Sequence, residues 1–77
     1  MQIKLLPFGQ TKEILPSAIN LPEQVKDTNG LSQYLVDTYP QLTRVHFAIA
    51  VNEELASSNT TIFENAVVAI LPPYSGG

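Results

Sequence analysis

The run Ala66-Val67-Val68-Ala69-Ile70-Leu71 constrains the fold of this 77-residue chain more than any other segment. Its composition reads as a strand, and it is apolar at every position. Strand side chains alternate between two faces, so this segment needs apolar cover on both. Such a strand belongs in the middle of a sheet, where it can run parallel to the first strand of the chain. Only one convincing helix is available, and it covers one face. Val67, Ala69 and Leu71 point away from it and require another cover, for which a partner protein is the simplest candidate.

The other elements are shorter. Ile3-Lys4-Leu5-Leu6 reads as a strand with Ile3 and Leu5 on one face. Pro7 lacks an N–H, so pairing weakens there or the strand lies at an edge. Gly9 to Ile14 fits a helical turn stopped by Pro16, Ser17 to Leu21 a second strand, and Pro22 to Thr28 a polar loop. Leu31, Tyr34, Leu35 and Thr38 recur at helical spacing and predict a helix over Leu31 to Tyr39. Asp27, Thr28 and Asn29 are its candidate N-caps, and Pro40 ends it. Phe47 to Val51 is a strand, Asn52-Glu53 a tight turn, Glu54 to Ala56 a short returning strand, and Ser57 to Thr61 a polar loop. Strands outnumber helices, so the expected class is α+β, a mixed sheet of about five strands with one main helix across it.

Composition narrows the function classes. The length suits one domain. Apolar residues make up 44% and charged residues only 14%, so part of the surface is expected to be apolar and to meet a partner. Net charge is −3, with Lys4, Lys12, Lys26 and Arg44 the only cations besides the chain start. Nucleic acid and anionic membrane are therefore disfavoured. No apolar run approaches the length of a membrane span, and the first residues are too short and too weakly basic for a signal peptide. Cysteine is absent, which removes disulfides, thiolate metal sites and a cysteine nucleophile; a cytoplasmic setting is the default expectation.

The chain closes with Leu71-Pro72-Pro73-Tyr74-Ser75-Gly76-Gly77. The two prolines stop sheet pairing and stiffen the chain toward polyproline II. The two glycines lack Cβ and can enter a channel too narrow for other residues. The expected division is a folded domain over residues 1–71 and a flexible tail over 72–77. Extended, the tail spans at most about 20 Å, enough to reach from a docked body into a buried site. The terminal carboxylate of Gly77 is ionised at neutral pH, with a pKa of about 3.3–3.7, and is a poor electrophile until activated.

Three stretches together resemble a known family: the Pro-Pro-x-x-Gly-Gly ending after the last strand, Ala50-Val51-Asn52 followed by Glu53-Glu54-Leu55, and Ile3 to Gly9 followed by Lys12-Glu13-Ile14. With them, nearly the whole chain resembles the ubiquitin-like sulfur carriers of the molybdopterin synthase small-subunit (MoaD) type. The resemblance implies a ubiquitin-like β-grasp fold. It implies that Gly77 is adenylated and then thiocarboxylated, with Gly76 entering the partner's channel, and that sulfur passes to cyclic pyranopterin monophosphate in molybdenum cofactor biosynthesis. It implies a large subunit, in a heterotetramer of two small and two large subunits, and an activating adenylyltransferase that uses ATP. Phe8, Leu55 and Leu71 are the implied docking patch, with Pro72, Pro73, Tyr74 and Ser75 lying in the partner's groove. No cofactor is implied on this chain, and no catalytic side chain. Two departures stand out: Glu64-Asn65 occupies a turn that many relatives make with Gly-Asp, and Pro7 replaces a larger apolar residue.

Other candidates are weak. His46 has no second histidine or cysteine for a metal site. Glu53 and Glu54 are adjacent, so a strand sends them to opposite faces. Ser57-Ser58 has no nucleophile motif, and the glycines make no phosphate-cradling loop, which leaves ATP to the partner. Tyr34 and Tyr39 read as core or boundary. A sulfur carrier for thiamine or tRNA thiolation, a protein modifier conjugated through Gly77, and an interaction domain with a fortuitous diglycine end remain open.

Overall fold

The computed structural model describes residues 1–72. Five strands form one mixed sheet: β1 (Gln2–Pro7), β2 (Ala18–Asn20), β3 (Ala48–Val51), β4 (Glu54–Leu55) and β5 (Val67–Leu71), in the spatial order β2-β1-β5-β3-β4. Among the described residues a single α-helix, α1 (Thr28–Thr38), packs on one face, and 3₁₀ turns span Gly9–Glu13 and Pro40–Arg44. The doubly apolar segment is the central strand, parallel to β1 and antiparallel to β3. This is the α+β, ubiquitin-like β-grasp arrangement expected from the sequence.

One face of the sheet and α1 make the core. Ile3 and Leu5 from β1, Val68 and Ile70 from β5, and Ile49 and Val51 from β3 meet Leu31 and Leu35 of the helix. Each fully buried aliphatic side chain contributes about 1.5–3 kcal/mol relative to exposure. The helical stripe begins a turn earlier than its apolar spacing indicated: Thr28 is buried, whereas Thr38 is exposed. Leu21 and Val25 also enter the core, although the sequence around Val25 reads as a polar loop. The turn Pro40–Arg44 is not marked by periodicity; it forms because Pro40 stops the helix while buried Leu42 still faces the core.

Helix α1 starts at Asp27, whose Oδ1 accepts the Gly30 N–H at 2.8 Å. Asn59 donates to the other carboxylate oxygen at 3.2 Å, and its own carbonyl accepts the Asn29 N–H at 2.9 Å. The Gly30 amide, and after it Asn59, stabilise the ionised form and hold the Asp27 carboxyl below its ordinary value. The loop after β4 is thereby tied to the helix start, reinforced by Thr60 N–H to Thr28 Oγ1 at 2.9 Å.

The two departures from the family pattern are absorbed locally. Lys4 and Phe8 donate their N–H groups toward β5, whereas Leu5 donates toward Ser17 on the β2 side. By this alternation the missing N–H of Pro7 faces the β2 side, where β2 pairs only with Gln2 to Lys4, so no ladder bond is lost. Asn65 takes φ 66° in the turn before β5, a left-handed conformation that asparagine tolerates far better than most residues. The β3–β4 turn likewise has positive φ at both centres, Asn52 (49°) and Glu53 (74°), which matches the twist of a tight hairpin.

Candidate functional site

The face of the sheet away from α1 carries an apolar surface with no cover of its own among the described residues. Pairing places Leu6 opposite Ala69, Ala69 opposite Ala50, and Ala50 opposite Leu55. These four residues therefore form a row across β1, β5, β3 and β4. One step toward the end of β5, Leu71 lies opposite Ala48. Phe8 has extended backbone and follows Pro7, the partner of Ile70, so it continues the outward alternation beside Leu71. Leu6, Phe8 and Leu55 are 47%, 44% and 63% exposed. Val67, Ala69 and Leu71 are half-buried, whereas Val68 and Ile70 between them are fully buried.

The end of the sheet where β1 and β5 finish holds the root of the tail. Ile70 O accepts the Phe8 N–H at 2.9 Å. Thr11, fully buried, donates its hydroxyl to Phe8 O at 2.6 Å, with a longer arm of 3.4 Å to Ile70 O. Gly9 sits at φ 62°, and the ring of Pro72 rests against the place where its Cβ would be. The structure thus puts Phe8, Leu55 and Leu71 on one face of the sheet, with Pro72 next in the chain after Leu71 and packed against Gly9. Pro73, Tyr74, Ser75, Gly76 and Gly77 lie outside the described residues.

The turn expected over Gly9 to Ile14 is present as Gly9–Glu13, whereas sequence reasoning overlooked Leu6 and the role of Gly9 and Thr11 at the tail root. The signal for Leu6 was present: the period that buries Ile3 and Leu5 turns Lys4 and Leu6 outward. The closure of Gly9 on Pro72 has no local signal, because residues 63 positions apart meet only in the folded sheet. His46 and the Glu53-Glu54 turn are exposed, and Tyr34 and Tyr39 pack against the core. A hollow of about 540 Å³ beside Met1, Val25 and Phe63 lies at the opposite end of β5 and gathers no chemistry with the tail root. No cluster of three metal-ligating side chains occurs among the described residues. None of their helices is long and apolar enough to cross a membrane.

Comparison with known proteins places this geometry. The model of the ThiS family matches residues 5–77. The chain belongs to the ThiS family. A member-like relative from Dictyostelium discoideum, named molybdopterin synthase sulfur carrier subunit, is 35% identical over 83 aligned positions, which cover 99% of this chain and 96% of the relative. The crystal structure of SAMP1 from Haloferax volcanii superposes with a TM-score of 0.73 over all of both chains, at 21% identity. The second likeness concerns fold alone. In this ThiS-family chain the matched span includes the whole outward row, the tail root and the diglycine end.

Proposed function

We propose that this chain is the sulfur-carrying small subunit of molybdopterin synthase. The observation that carries the reading is the Pro72-Pro73-Tyr74-Ser75-Gly76-Gly77 ending, which follows a central strand in a chain that matches a named molybdopterin synthase sulfur carrier over nearly its full length. The exposed apolar face beside that ending supports it, since a carrier must dock on one protein while its end enters that protein's site.

An activating adenylyltransferase joins the Gly77 carboxylate to AMP and releases pyrophosphate, which supplies the leaving group the carboxylate lacks. A sulfide-level sulfur nucleophile attacks the acyl carbon and expels AMP, leaving a thiocarboxylate. This chain has no cysteine, so sulfur rests on its own end and on no thiol. In the large subunit's pocket the thiocarboxylate sulfur attacks a side-chain carbon of cyclic pyranopterin monophosphate, and the C–O bond at that carbon breaks, its oxygen leaving as water or staying on the phosphate. Water then cleaves the acyl–sulfur bond, returning Gly77 as a carboxylate; two such transfers complete a dithiolene. The chain contributes no acid or base. It supplies the body that docks through Phe8, Leu55 and Leu71, and a tail of about 20 Å maximum reach. Fixing each flexible tail residue costs roughly 1–2 kcal/mol, less at the prolines, so the docking face must supply most of the affinity.

Intact mass after incubation with an adenylating partner, ATP and a sulfur source tests the proposal. A gain equal to one oxygen-to-sulfur exchange at Gly77, followed by its loss on adding large subunit and pterin precursor, is the expected result. Transfer only to a thiamine or tRNA thiolation system, conjugates on lysines of other proteins, or no mass change would each overturn it.

A further inference from the structure

We infer that the turn Gly9–Glu13 is a positioning collar: Gly9 and Thr11 fix the direction in which the chain leaves the domain at Pro72, in one rigid frame with Phe8. The inference rests on the carrier reading above and deepens it by assigning the residues that aim the tail.

Three observations carry it. Thr11 is the one buried residue of an otherwise exposed five-residue turn. Valine would fill the same volume, so filling space does not explain a hydroxyl there. Its single proton is aimed at Phe8 O, 2.6 Å away, with a second arm to Ile70 O at 3.4 Å. Ile70 O also receives the Phe8 N–H at 2.9 Å, so the carbonyl two residues before Pro72 is approached by two donors, one from the turn and one from the residue just before it. Proline at 72 has no N–H, and its backbone cannot be anchored to a neighbouring strand by donation. Packing takes over that task. A Cβ on Gly9 would lie 3.6 Å from Pro72 Cβ, 3.7 Å from its Cγ and 4.0 Å from its Cδ, so a methyl group fits in contact with the ring and a bulkier side chain adds to the crowding on that side. The left-handed φ of 62° at Gly9 is what brings its backbone this close, and side chains disfavour it. Phe8 and Pro72 are therefore held by one turn. A partner that seats Phe8 also sets where the chain beyond Pro72 starts.

The absence of cysteine makes the test clean. Cysteines placed at Thr38, exposed at the end of α1, and at Tyr74 carry spin labels, and pulsed electron paramagnetic resonance reads the distance distribution between them in the full chain. Gly9→Val and Thr11→Val should shift or broaden it, whereas Thr11→Ser should reproduce the parent. Circular dichroism checks folding, and Gly9→Ala replaces Gly9→Val if the latter does not fold. Without labels or added cysteines, the thiocarboxylated Gly9→Val chain should transfer sulfur about tenfold more slowly at saturating large subunit. Its affinity for the large subunit should stay within about twofold, because Phe8, Leu6 and Leu55 remain in place. Unchanged distance distributions in both variants overturn the collar, as does a changed distribution with undiminished transfer. Failure of the parent chain to accept sulfur would instead refute the carrier reading, and the distance measurement would still decide whether Gly9 and Thr11 aim the exit.

Discussion

Leu55→Ala separates docking from folding in a single residue. Leu55 lies on the two-residue edge strand β4 and is 63% exposed in the isolated chain. Complete burial of a leucine side chain is worth about 1.5–3 kcal/mol, so about 1–2 kcal/mol remains available to a partner that covers it. Alanine keeps the smaller part of that area. The expected loss is about 1 kcal/mol of binding, or about fivefold in Kd for the large subunit. Folding should change by no more than about 0.5 kcal/mol, since the removed methyl groups touch mainly solvent. Adding Leu6→Ala and Phe8→Ala, at 47% and 44% exposure, extends the effect across the row. Leu6 and Leu55 are separated by two intervening strands, so their contributions should nearly add, giving about 2–3 kcal/mol and close to a hundredfold loss. Isothermal titration calorimetry gives the Kd, and thermal unfolding of each variant gives Tm. Unchanged affinity in the triple variant, with Tm intact, would show that the outward face does not dock. A Tm that falls in step with affinity would refute the claim that these side chains serve a partner rather than the fold.

Leu35→Ala should do the opposite: Leu35 is fully buried between α1 and the sheet, and its truncation should cost about 2–5 kcal/mol in urea unfolding, a large share of the stability of a domain this small. Gly76→Val should leave Tm unchanged and abolish sulfur loading or transfer, read by intact mass; normal transfer would remove the need for a slender chain end. Asp27→Ala should lower Tm by removing the helix cap, with Asp27→Asn milder. The folded pKa of Asp27 is depressed, so its contribution is fully present above the unfolded value of about 4 and is lost as pH falls through the folded pKa. Unfolding curves from pH 5 downward should accordingly converge for parent and Asp27→Asn; parallel curves would contradict the linkage.

The residue pattern by itself determined the class of fold and pointed to the chain end as the place of the proposed chemistry. A strand apolar on both faces, Ala66 to Leu71, can be satisfied only in the middle of a sheet, and one helix can cover only one side of it. The outward direction of Val67, Ala69 and Leu71 followed from parity alone. The role proposed for the tail rests on residue types, two stiff prolines and two bare glycines, which need no tertiary context to be read. Other features depended on long-range closure. Val25 and Leu42 enter the core from segments with no amphipathic period, because the folded chain brings those segments over the core. Pro7 is harmless because β2 has already left its side of β1, which is a fact of pairing register. The row Leu6, Ala69, Ala50 and Leu55 draws on four strands, and the contact of Gly9 with Pro72 joins the two ends of the chain. Local pattern fixes which way each side chain of a strand points; which strands lie side by side, and therefore what a surface or a tail root is made of, is decided only when the sheet closes.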